Sequence, residues 1–113
     1  MAGAVDVGDD LRGEDARRLI QALLALRTPE EGRALLIDLL TLGEASDLAL
    51  RLKVARMLVH GATYEEVAQA TGASTATISR IRRFVDHGAG GYRLAVARLD
   101  ATVAAEEGSG RSE

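Results

Sequence analysis

Between residues 14 and 105 the apolar side chains of this chain recur every three or four positions, and no stretch alternates apolar with polar residues. Side chains three and four apart share one face of a helix, whereas a half-buried strand needs a period of two. The chain is therefore expected to be all-α, with six helices and no internal repeat. Leu19, Ile20, Leu23, Leu24 and Leu26 mark a first helix over 14–26. In "TPEE", Thr28 can cap a second, Pro29 suits its first position and Glu31 stands where a capping box needs it. That helix is expected over 29–40, with Gly43 breaking the chain after it. Ser46 or Asp47 can cap a third over 47–60, with Leu48, Leu52, Ala55 and Val59 on one face and Leu50, Val54 and Leu58 beside them. Gly61 follows as its stop. Thr63 and Glu66 form a second box for a short helix to 71, Ser74 caps a fifth to 87, and "GAGG" at 88–91 ends it. A sixth covers 92–105 with Leu94, Val96, Leu99 and Val103.

The 113 residues suit one domain, spanning 14–106. The ends, 1–13 and 107–113, are Gly-rich and aperiodic and are expected to be disordered tails. Only 3% of residues are aromatic against 47% hydrophobic overall, so the core must be Leu, Val, Ile and Ala. The first two helices carry much apolar surface for so small a chain. They either pack on the remaining helices or on a second copy, and a homodimer is the expectation. No cysteine is present, which excludes disulfides and thiolate metal sites, and two histidines make a histidine metal site a poor prospect. No metal or cofactor is expected. The N-terminal residues lack a signal-peptide pattern and no apolar run is of membrane-spanning length. A cytoplasmic protein that does not enter membranes is expected.

The formal net charge is −3, but it is unevenly placed. Residues 1–15 hold five acids to one base. Residues 74–93 hold Arg80, Arg82, Arg83 and Arg93 against Asp86 alone. The basic segment coincides with "TYEEVAQATGASTATISRIRR", where two amphipathic stretches meet at Gly72. A helix, a tight turn and a second helix crossing the first need a small residue at the crossing, a turn residue tolerant of positive φ, and a buried stripe on the second helix. Ala68, Gly72 and the stripe Ile78–Ile81–Val85 facing Val67 meet all three demands. A helix-turn-helix is expected over 63–87. Thr75, Ala76, Ser79, Arg80, Arg82 and Arg83 then face outward. The small members can approach base edges in a major groove. Ser74, Thr75, Thr77 and the amides at the helix start can hold phosphate, and Arg80, Arg82 and Arg83 supply charge. The plainer reading is a helical hairpin whose arginines only favour the helix C-terminus.

"GASTATISR" resembles the recognition-helix signature of the Trp repressor superfamily. The likeness runs back through "LTLGEASDLALRLKVARMLVHGATYEEV", and "GASTATISRIRRF" followed by "GAGGY" is similar to the YerC/YecD-type branch. The resemblance implies an intertwined dimer, with each subunit presenting one helix-turn-helix to half of a two-fold operator, the half-sites about one DNA turn apart. It also implies a ligand site in which Arg51 and Arg80 enclose an indole and a partner's Thr41 assists. Here the chain departs from the pattern, because Ile81 stands where the family has a small glycine. Ile81 is expected to fill the slot, so a small-molecule corepressor, and tryptophan above all, is not expected. Glu65 and Ala68 replace two basic contacts of the family, so the operator is expected to differ.

His60 and His87 read as charges or caps at helix ends, and Tyr92 as core or interface. No Ser/His/Asp set, paired carboxylates, P-loop or dinucleotide fingerprint is present, so an enzyme is not expected. Two readings remain. The first is a dimeric, sequence-specific DNA-binding transcriptional regulator, a repressor acting through its helix-turn-helix. The other is a helical interaction module that docks an acidic protein on its arginine face.

Overall fold

The computed structural model describes residues 10–110, and within them six helices and no strand. They fall into two compact units that divide after Thr41.

The first unit holds α1 (Glu14–Ala25) and α2 (Pro29–Leu39). Gly13 begins α1 without a side-chain cap, and Glu14 and Asp15 place negative charge at the positive end of the helix dipole. Glu14 also pairs with Arg17 and Arg18 at 3.0 and 2.8 Å, exposed contacts worth only a few tenths of a kcal/mol each. Thr28 caps α2, its hydroxyl accepting the Glu31 amide at 3.1 Å. The expected box is displaced by one residue, since the Glu31 carboxylate accepts from the Arg27 amide at 2.8 Å. Neither helix buries a single side chain, and Leu24 and Ile37 are 80% and 66% exposed. Of the acidic N-terminal segment, residues 1–9 lie outside the described residues, and Leu11–Gly13 make the turn and bend that lead into α1.

The second unit is α3 (Leu42–Val59), α4 (Tyr64–Thr71), α5 (Thr75–His87) and α6 (Gly91–Gly110). α3 starts five residues before the expected position, with Gly43 inside its first turn rather than breaking the chain. Glycine costs a helix most in its interior, and the first turn, whose amides lack intrahelical partners, tolerates it. The end of α3 is a Schellman turn. The Gly61 amide bonds to the Leu58 carbonyl and the Ala62 amide to the Met57 carbonyl, both at 3.0 Å, with Gly61 at φ 91°. α6 continues past Ala105 to Gly110. Ala104, Ala105, Glu106 and Glu107 all favour helix, so the segment expected as a tail from 107 is helical as far as it is described, and residues 111–113 lie outside.

α3 packs on α4, α5 and α6. Val54, Ala55 and Leu58 of α3, Val67 of α4, and Ile78, Ile81 and Val85 of α5 form one buried cluster, and Val96 of α6 is fully buried. Full burial of such a side chain is worth about 1.5–3 kcal/mol. The stripe expected on α5 is thus the core stripe, and Val67 is its counterpart. The face expected on α3 is rotated: Leu48 and Leu52 are 48% and 37% exposed, while Val54 and Leu58 point inward. Leu94 of α6 is likewise exposed. No described helix is long and apolar enough to cross a membrane.

Candidate nucleic-acid interface

The α4–α5 connection is built by local signals acting in sequence. Thr63 and Glu66 complete a reciprocal capping box, the Thr63 hydroxyl accepting the Glu66 amide at 3.1 Å and the Glu66 carboxylate accepting the Thr63 amide at 2.8 Å. Gly72 ends α4 in the left-handed region at φ 75°, a conformation that a Cβ disfavours. Between the helices the Thr71 hydroxyl donates to the Val67 carbonyl at 2.7 Å and accepts the Ala73 amide at 3.1 Å. Ser74 then starts α5, accepting the Thr77 amide at 3.2 Å.

With Ile78, Ile81 and Val85 fixed inward, Thr75, Ala76, Ser79, Arg80 and Arg83 are exposed and Arg82 is half-buried. The start of α5 therefore offers small side chains and the Thr75 and Ala76 amides, and its later turns offer guanidinium groups. Ser74 is committed to capping, and its hydroxyl also donates to Thr77 Oγ1 at 3.1 Å. Thr77 is half-buried.

The three clustered arginines are not equivalent. Arg80 and Arg83 each place Cζ 5.8 Å from the centroid of the Phe84 ring. Arg82 Nε instead donates to Asp86 Oδ2 at 3.0 Å. Asp86 also accepts from Arg93 Nη2 at 3.1 Å, and Arg93 Nε donates to the Val85 carbonyl at 2.9 Å. Arg93 thereby satisfies a carbonyl in the last turn of α5 and links that turn to the start of α6.

Arg51, Thr77, Arg80, Ile81, Phe84 and Tyr92 line an open cleft of about 220 Å³. Arg51 and Arg80, paired only by the family resemblance, are both on its walls. Ile81 does not fill the space, contrary to expectation. Its side chain belongs to the core, only 3% exposed, and forms one wall, so a cleft remains in front of it. Thr41 belongs to the first unit.

Away from this face, Asp100 of α6 accepts from Arg56 Nε at 2.7 Å, and its other oxygen lies 2.7 Å from His60 Nε2. His60 is thus bonded to a side chain of another helix, beyond the helix-end charge read from sequence. The bond with His60, and then that from Arg56, holds the Asp100 carboxyl below the usual carboxylate range. Phe84 and Asp100 had no place in the sequence reading, and Asp86 and Arg93 entered it only as charges of the basic segment. The Arg82–Asp86 pair had a signal in its spacing of four. The Asp100 cluster had none, its partners being 40 and 44 residues away.

The family described as Trp repressor protein matches residues 14–100. The chain belongs to the Trp repressor superfamily. Its place is in the YerC-like branch, since it is 44% identical over 94 residues to the uncharacterised protein YerC of Bacillus subtilis strain 168, covering 83% of this chain and 90% of that one. Two solved structures share the Trp-repressor-like fold. A TrpR-like protein from Eubacterium eligens is 38% identical with a TM-score of 0.77, over 81% of this chain and 95% of that one. A candidate Trp repressor from Staphylococcus aureus is 38% identical with a TM-score of 0.78, over 85% and 96%. The Trp repressor match takes in α1 to α5 and the first half of α6, so the whole α4–α5 face and every residue lining the cleft lie within it.

Proposed function

We propose that the chain is a sequence-specific DNA-binding transcriptional regulator, a repressor acting as a homodimer in the cytoplasm. The observation that carries the reading is the division of α5: Ile78, Ile81 and Val85 are buried, while Thr75, Ala76, Ser79, Arg80 and Arg83 are exposed. Such a helix can enter a major groove with its small residues at base edges. Its first amides, with Ser74, Thr75 and Thr77 around them, approach one phosphate, and Arg80, Arg82 and Arg83 others. Family membership supports a regulator rather than an enzyme.

The dimer is supported by the first unit, in which α1 and α2 leave Leu19, Ile20, Leu23, Leu24, Ile37 and Leu39 exposed. A second copy is the partner that could cover them and would place two α4–α5 motifs on a two-fold DNA site. We further propose that the operator is bound without a small-molecule corepressor. The cleft between Arg51 and Arg80 is smaller than the roughly 300–1,000 Å³ of ordinary ligand pockets, and Arg80 already lies against a ring of its own chain. Selection of bound sequences from random duplex DNA tests the reading. A recovered two-fold motif is the expected result, and recovery of no enriched motif overturns sequence-specific binding.

A further inference from the structure

We infer that Phe84 is a positioning residue, whose ring holds the guanidinium groups of Arg80 and Arg83 where they meet DNA phosphates. The inference rests on the regulator reading and names a residue which that reading does not use. Phe84 is the one phenylalanine of the chain and is 44% exposed, so filling the core does not account for it. Both guanidinium groups stand at the same 5.8 Å from its centroid, inside the roughly 6 Å range over which a cation is drawn to an aromatic ring. One comes from a full turn earlier in α5 and the other from the preceding residue. Two like charges on long, flexible stems would otherwise separate into solvent. The negative face of the ring offsets their repulsion.

The backbone that carries the ring is held in place. The Phe84 carbonyl accepts the Gly88 amide at 2.9 Å, and any Cβ at position 88 would run into that carbonyl. The backbone at Phe84 is therefore fixed in the last turn of α5. The neighbouring Arg82 is held by Asp86, so Arg80 and Arg83 are the pair of the cluster whose placement depends on the ring. The fraction of molecules with both guanidinium groups in place multiplies directly into the apparent affinity.

The test compares the full-length chain with Phe84→Leu and Phe84→Tyr on mixed-sequence duplex DNA across a salt series. Each ring contact at an exposed site shifts a population about two- to fivefold, so Phe84→Leu is expected to bind about fivefold more weakly. Its salt slope is expected to stay at the wild-type value, because no cation is removed. Phe84→Tyr keeps the ring and is expected to restore affinity. In the free protein, ring current is expected to move the Arg80 and Arg83 side-chain proton resonances upfield in wild type and Phe84→Tyr, and not in Phe84→Leu, with the Val54, Val67 and Ile78 amides unmoved. Wild-type binding that Phe84→Leu leaves intact, or arginine resonances identical in all three proteins, overturns the role of Phe84. A wild-type chain that binds no DNA even at low salt overturns the regulator reading itself, a distinguishable result.

Discussion

Arg82 Nε lies 3.0 Å from Asp86 Oδ2, one turn further along α5, so one of the three clustered arginines carries its counter-ion with it. Arg83 has no such pairing among the ion pairs of the described residues. Arg83→Ala is therefore expected to weaken binding to all DNA and to lower the salt slope by about one for each subunit's lost phosphate contact. Arg82→Ala should do less of both. Asp86→Asn should tighten binding and steepen the slope, because it releases Arg82 and removes a negative charge from the face. Titrations of DNA binding against salt measure all three, and equal slopes for Arg82→Ala and Arg83→Ala would show the Asp86 pair to be without consequence.

Ala76 is exposed on the first turn of α5, between Thr75 and Ser79 on the surface proposed to meet base edges. Ala76→Glu places a carboxylate against bases and phosphates. A mismatched contact costs about 1–3 kcal/mol, and a repelled charge should cost at least that. Specific binding should be lost while circular dichroism reports unchanged helix. Retained affinity for the selected operator would mean that another face reads DNA.

The exposed apolar residues of α1 and α2 predict a particle of twice the 11.9 kDa chain mass in sedimentation at micromolar concentration. Leu23→Asp, on an α1 position 42% exposed in the single chain, should shift it toward monomer. A wild-type chain that sediments only as monomer would sink the dimer.

Asp100 gives the fold a pH dependence of known sign. Its folded pKa lies below the ordinary 3.8, by reason of His60 and then Arg56. A carboxyl lowered in this way stabilises the fold above its unfolded value, and the contribution disappears as pH falls through the lower folded value. Asp100→Asn should therefore melt below wild type at neutral pH, and the gap should close under acid, beneath 3.8. Thermal melts of both proteins across that range decide it, since a gap unchanged in acid would mean that the carboxylate charge is not what matters.

Tryptophan at millimolar concentration is expected neither to bind nor to change DNA affinity. Ile81 cannot leave its wall of the cleft without opening the core, and the Arg80 guanidinium is engaged by Phe84. Calorimetric titration should show no saturable heat. Saturable heat that disappears in Arg51→Ala would reverse this and identify the cleft as a ligand site.

The α4–α5 unit was legible because its instructions are short-range: the Thr63–Glu66 box, Gly72, the Ser74 cap and one stripe of branched residues. α3 was less so. Leu48, Leu50, Leu52, Val54, Ala55, Met57, Leu58 and Val59 surround that helix almost completely, so periodicity could not choose between Leu52 and Val54 as the inward side. Tertiary packing made that choice. The beginning of α3 departs from the expectation because Gly43, expected to break the chain, falls in the first turn of α3, where glycine is tolerated. At the cleft, the sequence paired Arg51 with Arg80 through a resemblance, but whether Ile81 filled or flanked the space depended on which way α5 was rolled against α3, a property no local pattern encodes. The Asp100 cluster joins positions far apart in the chain and had no local trace.

Helix ends commonly fray, since their outermost amides and carbonyls lack partners. α5 is tied at both ends, Ser74 taking the Thr77 amide and Arg93 the Val85 carbonyl. Peeling its last turn away means withdrawing a guanidinium that belongs to α6, and peeling its first means undoing the turn that joins it to α4. Solvent exchange of its backbone protons should then demand a cooperative opening shared with both neighbours. The roughly 20 Å rod thus meets whatever it touches as a rigid body, with the entropy of ordering its ends already spent in folding.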